Sequence, residues 1–121
     1  MLTPRQRILC IDDDEFCHEL LCFHLTEYEM NSLKTLAEGL RRAESERFDL
    51  YLLDHFLPDG SGIELCRQIR RFDAATPIVI ISADARPATR EEALRAGAQV
   101  FFSKPVDFDE LKRLITEMLS R

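Results

Sequence analysis

The stretch Leu50-Tyr51-Leu52-Leu53 stops at Asp54 and runs on into the turn Pro58-Asp59-Gly60-Ser61-Gly62. A short apolar run without polar alternation fits a strand covered on both faces, the habit of parallel sheets packed between helices. Asp54 then stands at that strand's carboxyl end. In open α/β sheets ligands bind in the crevice outside those ends, so a carboxylate there is a candidate nucleophile or metal ligand.

The same pattern recurs along the chain. Arg7-Ile8-Leu9-Cys10-Ile11 stops at Asp12-Asp13-Asp14, Pro77-Ile78-Val79-Ile80-Ile81 at Ser82, and Val100-Phe101-Phe102 at Ser103-Lys104-Pro105. Glu29 to Lys34 is a weaker strand, read mainly from Thr35-Leu36-Ala37-Glu38, whose spacing is that of a capping box opening a helix. From Glu15 to about Tyr28, Phe16, Leu20, Phe23 and Glu27 trace one helical row and Cys17, Leu21 and Leu25 its neighbour, predicting a broad apolar stripe. Leu36, Leu40 and Ala43 supply the inner side of the next helix. Ser61-Gly62-Ile63-Glu64 is a second capping box, opening a helix that carries Ile63, Cys66, Ile69 and Phe72 inward. Thr89-Arg90-Glu91-Glu92 caps a helix closed by Gly97, and Asp107 or Asp109 starts the last one, with Leu111, Leu114, Ile115, Met118 and Leu119 at helical spacing. The alternation predicts an α/β fold, a doubly wound five-stranded parallel sheet in one domain over residues 1–121.

At 121 residues the chain can bury a core without disulfides or structural metal. Its formal charge of -6 argues against nonspecific binding of nucleic acid or anionic membrane and favours a cationic partner. No apolar run approaches the roughly 18 to 20 residues that span a bilayer, and Met1-Leu2-Thr3-Pro4-Arg5 is not followed by a signal-peptide core, so a cytoplasmic protein is expected. Cys10, Cys17, Cys22 and Cys66 form no Cys-x-x-Cys pair and read as free, buried thiols.

Right-handed crossovers bring the strand ends together, and with them Asp12, Asp13, Asp54, Ser82 and Lys104. Three neighbouring carboxylates stay ionised cheaply only around a cation, and an all-oxygen set suits Mg²⁺ or Mn²⁺. With a lysine and a hydroxyl alongside, such a site can neutralise the peripheral oxygens of a phosphoryl group during in-line transfer, with Asp54 as the attacking nucleophile. Each residue alone has a plainer reading. Asp12 to Asp14 suit a helix N-terminus, Phe101 suits a core, and His18 and Cys22, four apart on one helix, lack the further ligands a metal needs. Strand alternation directs His55 away from the Asp54 pocket.

An acidic pair after the first strand, Asp54-His55-Phe56-Leu57-Pro58 with its glycine-rich turn, Ser82-Ala83 and Lys104-Pro105 occur in the order seen in receiver domains of two-component response regulators. The chain resembles that family over nearly its whole length. The resemblance implies a (βα)5 flavodoxin-like fold in which Asp54 is the phospho-acceptor, Asp13 a direct Mg²⁺ ligand and Asp12 a partner holding the metal through water. It also implies that the Phe56 backbone carbonyl completes the protein ligands, that Lys104 pairs with the phosphoryl and that the Ser82 hydroxyl bonds a phosphoryl oxygen. Phe101 matches the family's aromatic switch, whose ring would move inward as Ser82 and its loop shift. A phosphoryl adds a charge of about -1.5 to -2 and strong acceptors, which can bias the Ser82 to Arg90 loop between two arrangements. The output surface implied is the helix after Thr89, the Phe101 strand and the last helix.

Three departures stand out. Phe56 is bulky where many relatives are polar, at a position that the family varies together with Asp84 to set phosphoryl lifetime. Ser82 replaces the commoner Thr, keeping the hydroxyl but losing the β-branching that stiffens its rotamer. Asp59 stands where a small residue is frequent, in what reads as an exposed turn. The leading expectation is a two-component phosphorelay module, not an enzyme beyond its own phosphorylation and dephosphorylation. Its partners would be a histidine kinase or histidine phosphotransfer protein and an unidentified output domain or target. No DNA-binding helix-turn-helix, cyclase or kinase segment follows Arg121, which fits either a stand-alone receiver or a module of a longer regulator, and a phosphorylation-dependent homodimer stays open. The alternatives are a phosphate-independent interaction module and, less favoured because Phe56 stands where a second Asp would be needed, a Mg²⁺-dependent phosphohydrolase.

Overall fold

Each of the five expected strands forms, and each is followed by a helix. The computed structural model describes residues 4–120; residues 1–3, on which the reading of the chain start partly rests, and residue 121 lie outside the described residues. The elements are β1 (Arg7–Ile11), α1 (Glu15–His24), β2 (Glu29–Leu33), α2 (Leu36–Ser45), β3 (Leu50–Asp54), β4 (Phe56–Leu57) and β5 (Gly60–Ser61). They continue with α3 (Gly62–Arg70), β6 (Ile78–Ser82), α4 (Pro87–Ala96), β7 (Val100–Ser103) and α5 (Phe108–Leu119). The main sheet is parallel throughout, in the order β2-β1-β3-β6-β7. Its direction of winding reverses between β1 and β3, so the crevice expected at such a switch point lies between their carboxyl ends.

The sheet separates two apolar layers. Leu9, Ile11, Tyr51, Leu53, Ile78 and Ile80 face α2, α3 and α4, whereas Ile8, Cys10, Leu50, Leu52, Val79 and Ile81 face α1 and α5. This is why β3 and β6 carry no polar alternation: both faces are covered. Full burial of each such side chain is worth about 1.5–3 kcal/mol, so the strands form a frame that does not yield to forces at their ends.

Several helix details differ from the sequence reading. Helix α1 stops at His24, and Leu25 and Tyr28 are buried as part of the connection to β2. Cys17 and Leu21 meet the sheet, but Phe16 and Phe23 are 68% and 76% exposed, because a helix lying on a sheet buries one stripe and these rings flank it. Phe72, past the end of α3, is likewise exposed. Thr89 does not cap α4; Pro87, with its fixed φ and missing N–H, opens that helix two residues earlier, and Thr89 is buried within it. Helix α4 closes on Gly97 at φ 113°, the left-handed conformation in which a side chain would be strained. The turn after Asp54 is a small antiparallel hairpin, β4 with β5. In it Asp59 accepts the Leu36 and Ala37 N–H groups at 2.7 and 3.0 Å, capping α2 from 22 or more residues away instead of idling in solvent. Among the described residues no helix is long and apolar enough to cross a membrane.

Candidate functional site

The carboxyl ends of β1 and β3 deliver three carboxylates to one place. Asp12, Asp13 and Asp54 each offer an oxygen within 4.8 Å of the others, and no other group of three His, Cys, Asp or Glu residues among the described residues is so placed. Asp14 leaves this set to cap α1, accepting the Phe16 and Cys17 N–H groups at 3.0 and 3.4 Å, so the helix-start reading holds for it. Asp12 folds back over the same turn and accepts the Asp14 N–H at 2.9 Å. The His18 and Cys22 pair gathers no third ligand: His18 Nδ1 is engaged by the Ser32 hydroxyl.

Lys104 reaches in from the end of β7, where its N–H donates to the Ser82 carbonyl at 2.8 Å, and its ammonium lies 2.9 Å from Asp54 Oδ1. That contact is an ion pair without hydrogen-bond alignment, since the buried Oδ1 has no partner of hydrogen-bond geometry. Asp54 is only 7% exposed. Burial pushes its carboxyl above the ordinary range; Lys104 opposes this, and the charges of Asp12 and Asp13 reinforce it. For Lys104 burial works to lower the ammonium's pKa, yet its close pairing with the Asp54 carboxylate, with Asp12 behind it, carries the net shift upward. A buried carboxylate that one lysine does not satisfy, facing two more carboxylates, is a donor set short of positive charge. Hard oxygen donors of this kind fit Mg²⁺.

The hairpin after Asp54 shapes the third side. The Gly62 N–H donates to the His55 carbonyl at 2.9 Å, which leaves Phe56 and Ser61 as a non-hydrogen-bonded pair with the Phe56 carbonyl directed away from its hairpin partner. Ser61 caps α3 through the Ile63 and Glu64 N–H groups, while the Glu64 carboxylate turns outward to Arg67 and Gln68, so only half of the expected capping box forms. Gly62 is where the helix start meets the site: a Cβ there would lie 2.2 Å from the Asp54 carbonyl oxygen.

Ser82 and Phe101, the expected switch pair, are both buried. The Phe101 ring is already packed among the α2–α4 layer at 5% exposure, so no outward ring remains to swing in. The Ser82 hydroxyl accepts the Asp84 N–H at 2.9 Å and shares a 2.7 Å bond with His55 Nδ1. Alternation does carry His55 to the face opposite Asp54, as expected, yet it does not remove the ring from the site, because Ser82 lies on that same face. Burial lowers the imidazole's pKa against the charges of Asp84 and Glu92. Asp84, in turn, is clasped by the Arg86 guanidinium at 2.7 and 2.9 Å and by the Thr89 hydroxyl at 2.8 Å, which hold its carboxyl well below the usual range. Cys17 was also not foreseen here; burial and the neighbouring Asp12 push its thiol up to about 12, so it stays protonated. The β3–β6 register that sets His55 against Ser82 exists only in the folded sheet, and nothing local marks Cys17.

A family model described as the response regulator receiver domain matches residues 8–116. The chain belongs to this family. It is 37% identical over 117 residues to the response regulator protein PilR of Pseudomonas aeruginosa, covering 95% of this chain and 26% of PilR. It is 35% identical over 116 residues to the response regulator ArlR of Staphylococcus epidermidis, covering 94% of this chain and 52% of ArlR. The chain thus spans about half the length of ArlR and about a quarter of PilR. A CheY-like receiver domain structure from Methanospirillum hungatei superposes with a TM-score of 0.91 at 31% identity, covering 97% of this chain and 95% of that one. The receiver fold and the place of this domain in two-component phosphorelay signalling follow, and with them its standing outside the ordinary enzyme families. Neither a phosphate-independent module nor a phosphohydrolase is favoured.

Proposed function

We propose that this receiver takes a phosphoryl group from a phosphohistidine of a partner kinase or phosphotransfer protein onto Asp54. In that step an Asp54 carboxylate oxygen attacks phosphorus in line as the P–N bond breaks. The bonding pair returns to the donor imidazole, which is protonated on its other nitrogen and leaves neutral. Lys104, 2.9 Å from Asp54, would follow the charge from the carboxylate to the new phosphoryl oxygens, and Ser82 would donate to one of them once it turns. Asp12, Asp13, Asp54 and the Phe56 carbonyl would hold Mg²⁺, which supplies neutralisation of the phosphoryl charge when bound. The exposed Phe56 and the clasped Asp84, the pair that the resemblance links to phosphoryl lifetime, would tune how long the acyl phosphate lasts. Such a switch works in the cytoplasm beside its kinase, and its α4, β7 and α5 surface carries the signal to an output domain or to a second copy.

The observation that carries this reading is the buried Asp54 oxygen left without a hydrogen bond amid two further carboxylates and one lysine. Intact mass after incubation with acetyl phosphate and Mg²⁺ tests it. A single added phosphoryl is expected on the wild type, none on Asp54→Asn and none with the metal chelated. Equal labelling of Asp54→Asn, or no adduct on rapidly quenched wild type, removes Asp54 from its role.

A further inference from the structure

Strand register brings His55 and Ser82 together. β3 pairs with β6 so that Asp54 lies opposite Ile81, and the His55 N–H continues the ladder to the Ile81 carbonyl at 2.8 Å. Leu53 and Ile80 sit in one apolar layer and Leu52 and Ile81 in the other, so the next residues on the first side are His55 and Ser82, while Asp54 leaves on the second. The imidazole is also steadied by Phe56, whose ring lies 4.2 Å away, centroid to centroid.

A serine hydroxyl has one proton and two lone pairs. The Asp84 N–H occupies one lone pair of Ser82; His55 Nδ1 takes either the proton or the second lone pair, according to its tautomer. In both cases the oxygen is tied by two bonds on the side of the sheet away from Asp54. A phosphoryl group on Asp54 offers only acceptors: where Nδ1 accepts the Ser82 proton, Ser82 has to give up His55 to donate to the phosphoryl, and where Nδ1–H donates, that bond still anchors the oxygen on the far side of the sheet. Phe101 is already packed inside, which leaves Ser82 as the member of the pair whose position has still to change. Lacking a β-methyl, Ser82 also has fewer steric restraints on its rotamer than threonine, so a partner that holds it matters more.

We propose that His55 is a positioning residue that holds the Ser82 hydroxyl back from the acidic pocket and releases it when Asp54 carries a phosphoryl group. The proposal rests on Asp54 being the phospho-acceptor. Beryllofluoride, titrated with Mg²⁺ and followed by amide NMR, tests it on wild type, His55→Leu, His55→Asn, Ser82→Ala and the His55→Leu/Ser82→Ala double variant. Losing one hydrogen bond that opposes the bound state should tighten His55→Leu roughly three- to tenfold. His55→Asn, whose amide still reaches the hydroxyl, should stay near wild type, and in the Ser82→Ala background His55→Leu should change nothing. Tightening that persists without the Ser82 hydroxyl, or no tightening at all, overturns the latch. Should His55→Leu not fold, the Nδ1 resonance of wild type decides: it should shift on beryllofluoride binding as the bond breaks, and an unmoved resonance refutes the proposal. Acetyl phosphate labelling separates the two levels. An unlabelled wild type defeats the reading of Asp54, whereas a labelled one without His55–Ser82 coupling defeats only the latch.

Discussion

The two edges of the parallel sheet carry similar numbers of charges and treat them in opposite ways. At the amino-terminal edge Arg7 pairs with Glu29 at 2.7 Å and Glu46 at 2.8 Å, donates to the Arg47 carbonyl and lies 4.6 Å above the centre of the Phe48 ring. Its N–H bonds Asp49. At the carboxyl-terminal edge three carboxylates share one lysine, and a buried oxygen has no hydrogen bond. At the first edge the Glu29, Glu46 and Asp49 carboxylates each receive a hydrogen bond from Arg7; the other edge is arranged to be completed by something cationic or phosphoryl-bearing. The open oxygen there is therefore not a general failure of pairing.

The comparison can be broken most severely at Gly62. An alanine Cβ would meet the Asp54 carbonyl oxygen at 2.2 Å, backbone that cannot move aside cheaply. Gly62→Ala should cost about 1–3 kcal/mol in urea unfolding and slow acetyl phosphate labelling, because the clash displaces β3's end and α3's start together. Labelling at the wild-type rate would show that the close approach is tolerated.

Next comes Asp54→Asn in metal-free buffer. The folded Asp54 pKa lies above its unfolded value, chiefly through burial, so its contribution to stability is full below about 3.8 and is lost as pH rises through the folded pKa. Removing the charge should therefore raise Tm by on the order of a few degrees at neutral pH and flatten that loss, with little change in acid. Mg²⁺ should narrow the gap by stabilising only the wild type. A lower Tm for the variant at neutral pH would mean that Lys104 outweighs burial and repulsion.

The smallest effect is expected at the satisfied edge. The Arg7 guanidinium holds the Glu29 and Glu46 carboxyls below their ordinary 4.5, so their contribution is present above that value and fades as pH falls through the depressed range. Arg7→Met should flatten this acid limb and lower neutral Tm by no more than a few degrees, as suits solvent-screened pairs, without altering labelling. The two edges are thus expected to give pH-dependences of opposite sign, separable in one set of thermal melts.

Much of this was determined by the sequence alone. The apolar runs around Ile8, Leu52, Ile80 and Phe101 name strands because both faces must be covered, and parallel right-handed connections then send Asp12, Asp13, Asp54, Ser82 and Lys104 to one edge. Those inferences need only local pattern and chirality. Tertiary structure decided which helical row met the sheet, burying Leu21 and packing the half-buried Cys17 against the core while leaving Phe16 and Phe23 outside. It recruited Asp59 to cap a helix far from it in sequence, and through the β3–β6 register it set His55 against Ser82. Each of these depends on how two elements are displaced along or rotated about one another, a quantity that no single segment's residue pattern contains.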